Sequence, residues 1–111
     1  MFKHSPQLKK IYDTYNRKFF NNQLPRDTQI GYNDEIEGKH GLTLGIEDEE
    51  THHRFFIIYI SPTTHTDMGQ KRLTILHEMC HVRLHPLTNH GREFQEEMKR
   101  LAMRDAFKEI W

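Results

Sequence analysis

The 111-residue sequence predicts one α+β domain, on three observations. An apolar stripe with helical spacing occupies the first twenty residues. A middle stretch of β-branched and aromatic runs is cut by turn residues. The last third then reads as two helices separated by Pro86. The expected order is an N-terminal helix, a small three-stranded sheet and two C-terminal helices. A chain of this length buries roughly two thirds of the surface its unfolded form exposes, enough for one core without staples.

Ser5-Pro6 opens the first helix, with Ser5 as N-cap and Pro6 at the first helical position. Leu8, Ile11, Tyr12, Tyr15 and Phe19 share one face and read as core rather than as a ligand-binding stripe. The helix is expected to end near NNQLP, because Pro25 cannot extend it. Three strands follow. TQIGY is weakly patterned. GLTLGI, residues 41–46, is short, alternating and holds two glycines, which suits an edge. RFFIIYI, Arg54–Ile60, is apolar without alternation and reads as a central strand covered on both faces. The acidic run EDEE between them reads as a solvated hairpin loop, since it lacks the Gly-punctuated ligand spacing of a calcium loop. Asp67, with Gln70 three residues on, offers a capping box for a helix from about Met68 to Leu84 or His85, where Pro86 breaks it. A last helix from about Gly91 carries Phe94, Met98, Leu101, Ala102, Ala106 and Ile110 on its apolar face.

Sixteen Lys and Arg balance sixteen Asp and Glu. A dedicated nucleic-acid binder needs clustered positive charge, so this balance gives no support for DNA as a partner. Cys80 is the only cysteine, so no intramolecular disulfide forms and its expected place is the core. No signal-peptide pattern opens the chain, and the longest apolar run, FFIIYI, is too short to cross a bilayer. The expectation is a monomer that does not engage a membrane, cytoplasmic or, if DNA-linked, nucleoid- or nuclear-associated.

The chemistry concentrates in TILHEMCHVRLHPLTNHG, residues 74–91. His77-Glu78-Met79-Cys80-His81 is an HExxH sequence. In a chain so rich in His and Glu it arises by chance roughly one time in fifteen, so context has to support it. The motif lies inside a predicted helix, where four residues turn about 400° and rise about 6 Å. His77 and His81 therefore project from one face and can meet at one zinc ion. Glu78 sits about 100° round, displaced from the ligand pair but within reach of a water there, as a general base that later serves as acid. A catalytic zinc takes three protein ligands and keeps one position open. His85 is about 12 Å along the axis from His77 and about 80° round, so it reads as a histidine facing the helix C-terminal dipole. His90 lies five residues after the break at His85, where the chain can turn back across the site, and it is the expected third ligand. His4, His40, His52, His53 and His65 show no ligand spacing and are expected at the surface.

With these residues in place, LTILHEMCHVRLHPLTNHGREF resembles the SprT-like, or Spartan-type, zinc metalloprotease domain. The matching positions are His77, Glu78, His81, His90, Gly91 and Phe94. IYDTYNRKFFNNQLP is similar to that family's opening helix and Leu-Pro turn, and HGLTLGI with FFIIYISP is similar to its strand pair. The resemblance implies a minimal zincin-like fold and a zinc endopeptidase holding one catalytic Zn2+. It extends the substrates to proteins crosslinked to or associated with DNA. No Cys-rich ribbon and no obvious DNA-binding or partner-binding tail is recognisable after the last helix, so DNA stays a possible partner that neither the charge nor such a segment supports.

Two other readings compete: a non-catalytic zinc-binding adaptor and a DNA-associated module of the same fold. An intact Glu78 argues against the first, because a structural site has no use for a base there. An edge strand presents unpaired backbone donors and acceptors, so a peptide substrate is expected to add along Leu42, Thr43, Leu44, Gly45 and Ile46. Tyr59 and Arg92 are candidate oxyanion partners, for each of which a core or surface role reads better.

Overall fold

The computed structural model describes residues 2–36, 38–64 and 67–108. Its elements are strand β1 (Phe2–His4), helix α1 (Pro6–Phe19), strands β2 (Gln29–Asn33), β3 (Gly41–Glu47) and β4 (Arg54–Ile60), and helices α2 (Met68–Leu84) and α3 (Arg92–Met103). The strands form one sheet in the order β1-β2-β4-β3. β4 runs parallel to β2 and antiparallel to β3, and β1 runs antiparallel to β2. The α+β class is as expected, but the sheet has four strands rather than three. β1 is too short to show a period. It is held by tertiary contacts, with Phe2 beside Tyr59 at 5.4 Å between ring centroids and the Ser5 amide on the Ile30 carbonyl at 3.1 Å.

Helix α1 starts where the sequence places it. The Ser5 hydroxyl accepts from the Leu8 amide at 3.2 Å, Pro6 follows, and Leu8 and Tyr12 are fully buried. Its end has a cause other than Pro25. The buried Asn16 amide donates to the Leu24 carbonyl at 3.0 Å and accepts from the Leu24 amide at 3.1 Å. Asn21 and Asn22 take φ of 52° and 58°, a left-handed conformation that Asn tolerates better than most residues. The chain thus reverses before Pro25, whose carbonyl meets the Tyr12 hydroxyl at 2.8 Å.

Helices α1 and α2 pack on one face of the sheet, and α3 packs on α2. The expectation that Arg54–Ile60 is covered on both faces is corrected here. β4 is interior to the sheet, but only Phe56, Ile58 and Ile60, which face the helices, are buried. Phe55, Ile57 and Tyr59 on the other face are half-buried. Aromatic and β-branched residues fill both faces of this strand, so composition hid the alternation of burial. Helix α2 lies between sheet and α3 and buries Ile75, Leu76, Met79 and Cys80 completely. The Cys80 sulfur sits 3.7 Å from the Met98 sulfur, and burial pushes its thiol up to about 12, as befits a core residue.

The N-cap of α2 is Asp67, whose carboxylate accepts from the Gln70 amide at 2.8 Å. In α3, Phe94 and Leu101 are buried, Met98 is partly buried, and Ala102 is exposed rather than core. The helix ends at Met103, so Ala106 is buried beyond it together with Phe107; Ile110 lies outside the described residues. Buried Glu97 pairs with Arg100 and, at 3.2 Å, with Arg83 of α2, while Arg100 donates to the Phe19 carbonyl at 2.7 Å. This group ties together all three helices. The EDEE segment is a hairpin loop: Asp48 accepts from the Glu50 and Thr51 amides at 2.8 and 3.0 Å. His4, His40, His52 and His53 are exposed, and His65 lies outside the described residues. Among the described residues, no helix is long and apolar enough to cross a membrane.

Candidate active site

His77 and His81 stand on successive turns of α2, and His90 sits in the loop just before α3. The Nε2 atom of His90 is 3.1 Å from Nε2 of His77 and 3.1 Å from Nε2 of His81. Among the described residues, these three form the one group of His, Cys, Asp or Glu whose candidate ligand atoms converge, all within 4.8 Å of one another. Phe94, buried in the first turn of α3, is the platform beneath them. Its ring centroid is 4.8 Å from those of His77 and His90 and 4.9 Å from that of His81.

Burial pushes His77 down to about 4, and the nearby imidazoles of His81 and His90 add to the effect. His81 is lowered too, by burial and by His90. Neutral imidazoles with converging nitrogens are the donor set a divalent cation takes. Two nitrogens held at about 2.0–2.1 Å in a tetrahedral arrangement lie about 3.3 Å apart, close to the spacing found here. The residues present therefore fit zinc.

His85 is outside this group. It caps α2, and its ring turns under β3. A side chain begun at Gly45 would meet its Nε2 at 2.7 Å, and the ring stands edge-on to Phe56 at 5.2 Å. Among the described residues, its Nδ1 is buried without a hydrogen-bond partner. His85 is thus a wedge between helix and edge strand.

Glu78 is 5 % exposed. Its Oε1 accepts from the Thr43 hydroxyl at 2.7 Å, and its Oε2 lies 4.0 Å from Nε2 of His77. Burial pushes the carboxyl up to about 7, against the opposing pull of the Thr43 bond and the Lys39 charge. The strand reaches this carboxylate because Gly41 has no side chain. A Cβ there would stand 2.8 Å from Cγ2 of Thr74 and 3.1 Å from Oε2 of Glu78.

The register of β3 separates its residues into two sets. The Ser61 amide bonds the His40 carbonyl at 2.9 Å, and the Asp48 amide bonds the His53 carbonyl at 2.8 Å. Both are antiparallel hydrogen-bonded pairs in the same register as Gly41↔Ile60 and Glu47↔Arg54. Such pairs alternate along the ladder, so Leu42, Leu44 and Ile46 turn their backbone groups inward to β4. Gly41, Thr43 and Gly45 turn theirs outward to the open edge, and Gly41 and Thr43 line a cleft of about 600 Å³ that reaches the three histidines. Of the five strand residues expected to hold peptide, Thr43 and Gly45 present free backbone groups. Gly41, just outside that stretch, presents them as well. The other three expose side chains on the far face, Leu44 most of all. The visible signal was Gly41 and Gly45 spaced by four, which strips one face of the strand at both places where it crosses α2. Tyr59 lies across the sheet against Phe2, and exposed Arg92 pairs with Glu96.

The fold brings an HExxH helix and three converging histidines, a donor set compatible with a zinc site, together beside a sheet edge. Residues 8–109 match the model of the SprT-like family, and the chain belongs to that family. Membership points to a zincin-like, metalloprotease-type domain. No solved structure matches the chain.

Two outcomes follow from this geometry. His90→Ala weakens zinc binding by about 100-fold or more and His85→Ala by less than about 10-fold, measured by chelator competition. Equal losses would place His85 on the metal. The second outcome concerns metal-free protein. The carboxyl of Glu78 rises from an ordinary 4.5 to about 7 on folding, so the folded state holds this proton more tightly than the unfolded one. The associated stability is complete below about pH 4.5 and is lost as pH rises through about 7. Glu78→Gln cannot ionise. Metal-free Glu78→Gln therefore gains on the parent protein across that window, by up to about 3 kcal/mol at pH 8 in urea denaturation. A difference that does not change with pH would contradict this.

Proposed function

We propose that this chain is a zinc-dependent endopeptidase acting on extended segments of protein substrates. One observation carries the reading: a buried carboxylate, an exposed strand edge and three converging imidazoles share one cleft. His77, His81 and His90 would hold the zinc, which supplies Lewis acidity toward a scissile carbonyl and a water. Glu78 takes the proton from that water and returns a proton to the departing amine nitrogen as the C–N bond breaks. The outward amides and carbonyls of Gly41, Thr43 and Gly45 hold the peptide as an added strand, leaving selectivity to side-chain contacts. A carboxyl poised near neutrality suits both halves of the proton transfer. Balanced charge favours protein as the binding partner over DNA, and proteins attached to DNA fall within the substrate class only through their polypeptide.

The test compares zinc-loaded parent and Glu78→Gln proteins on casein and on their own chains. The variant is expected to keep about one zinc per chain and lose at least about 100-fold in rate. Equal rates would leave a zinc-binding adaptor as the better description, and loss of zinc from the variant would make Glu78 structural.

A further inference from the structure

We infer that Thr43 is the positioning residue for Glu78, fixing the carboxylate so that its second oxygen stays turned toward the histidines; this rests on the peptidase reading above. The Thr43 hydroxyl is 2.7 Å from Oε1 of Glu78 and 3.3 Å from the Glu78 backbone carbonyl, so both of its contacts are to the one residue. With Oε1 engaged, Oε2 is the oxygen turned toward His77, at 4.0 Å. Gly41 leaves the space in which Oε2 sits, since a Cβ there would come within 3.1 Å of it. A carboxylate on a flexible side chain otherwise swings its plane and its χ1 and χ2 torsions, which carries the accepting oxygen off the cleft.

Thr43 also belongs to the outward set of β3. One residue therefore turns its backbone to the open edge and its side chain to the base. A peptide pairing with that backbone would bind to the same rigid unit that aims Oε2, which sets the distance between scissile bond and base. The two roles are separable by mutation. Thr43→Val keeps the backbone and the shape but loses the hydroxyl. Thr43→Ser keeps the hydroxyl and loses only a methyl group.

The experiment measures steady-state kinetics and zinc content of zinc-loaded parent, Thr43→Val and Thr43→Ser proteins. It also records the Glu78 carboxyl-carbon resonance of the metal-free proteins in H2O and D2O. Thr43→Val is expected to lose about 10-fold to 100-fold in kcat with KM and zinc content unchanged, and Thr43→Ser to recover most of kcat. Recorded at about pH 9, where the Glu78 carboxyl is ionised and carries no exchangeable proton of its own, the Glu78 resonance should show a deuterium isotope shift from the donated hydroxyl in the parent and in Thr43→Ser, and none in Thr43→Val. An active parent with Thr43→Val equal to it in kcat would overturn the inference. So would a parent resonance without the isotope shift, a measurement that needs no variant to fold. An inactive parent would instead defeat the peptidase reading, with the resonance still deciding whether Thr43 holds Glu78.

Discussion

The site depends on how closely strand β3 lies on helix α2. Two glycines on the helix-facing side of the strand make that approach possible, and at each a methyl group would collide with a side chain of α2 or its C-cap: Thr74 at Gly41 and His85 at Gly45. Between them Thr43 bonds to Glu78. One strand–helix contact therefore buries the carboxylate, gives it a partner and sets an open sheet edge beside the histidines. A side chain at Gly41 would separate the layers at the point where the chemistry is built, so this contact has little tolerance for substitution.

That contact also makes Glu78 costly to the metal-free fold. A carboxyl moved out of water resists ionisation, and this burial pushes Glu78 up to about 7. The same burial keeps His77 neutral. Groups that oppose folding without a metal are the groups a bound cation would compensate, so ligand binding and fold stability are linked through α2. The remainder of the domain is built to hold α2 fixed. Phe94 underlies all three histidine rings, and Glu97 bridges α2 and α3 through Arg83 and Arg100.

Much of this was legible in the residues. The helical period fixed His77 and His81 on one face, Pro86 ended the helix, and the chain did return His90 to the pair. Ser5 and Asp67 cap the helices they were expected to cap. The edge position of β3 followed from its length, alternation and glycines. What escaped depends on tertiary contact. β1 is three residues long and exists only against β2. The end of α1 rests on Asn16 reaching across eight positions to Leu24. The exposed face of β4 has the same residue types as its buried face. The Thr43 side chain turns toward α2 because of the β3 register, for which the four-residue spacing of Gly41 and Gly45 is the local signal.

The most direct test of the metal centre is X-ray absorption at the zinc edge of the zinc-loaded protein. Three imidazole nitrogens and one further light atom, all at about 2.0–2.1 Å, is the result expected from His77, His81 and His90. A sulfur shell near 2.3 Å, which only Cys80 or another chain would supply, or a first shell with two imidazoles, would contradict it.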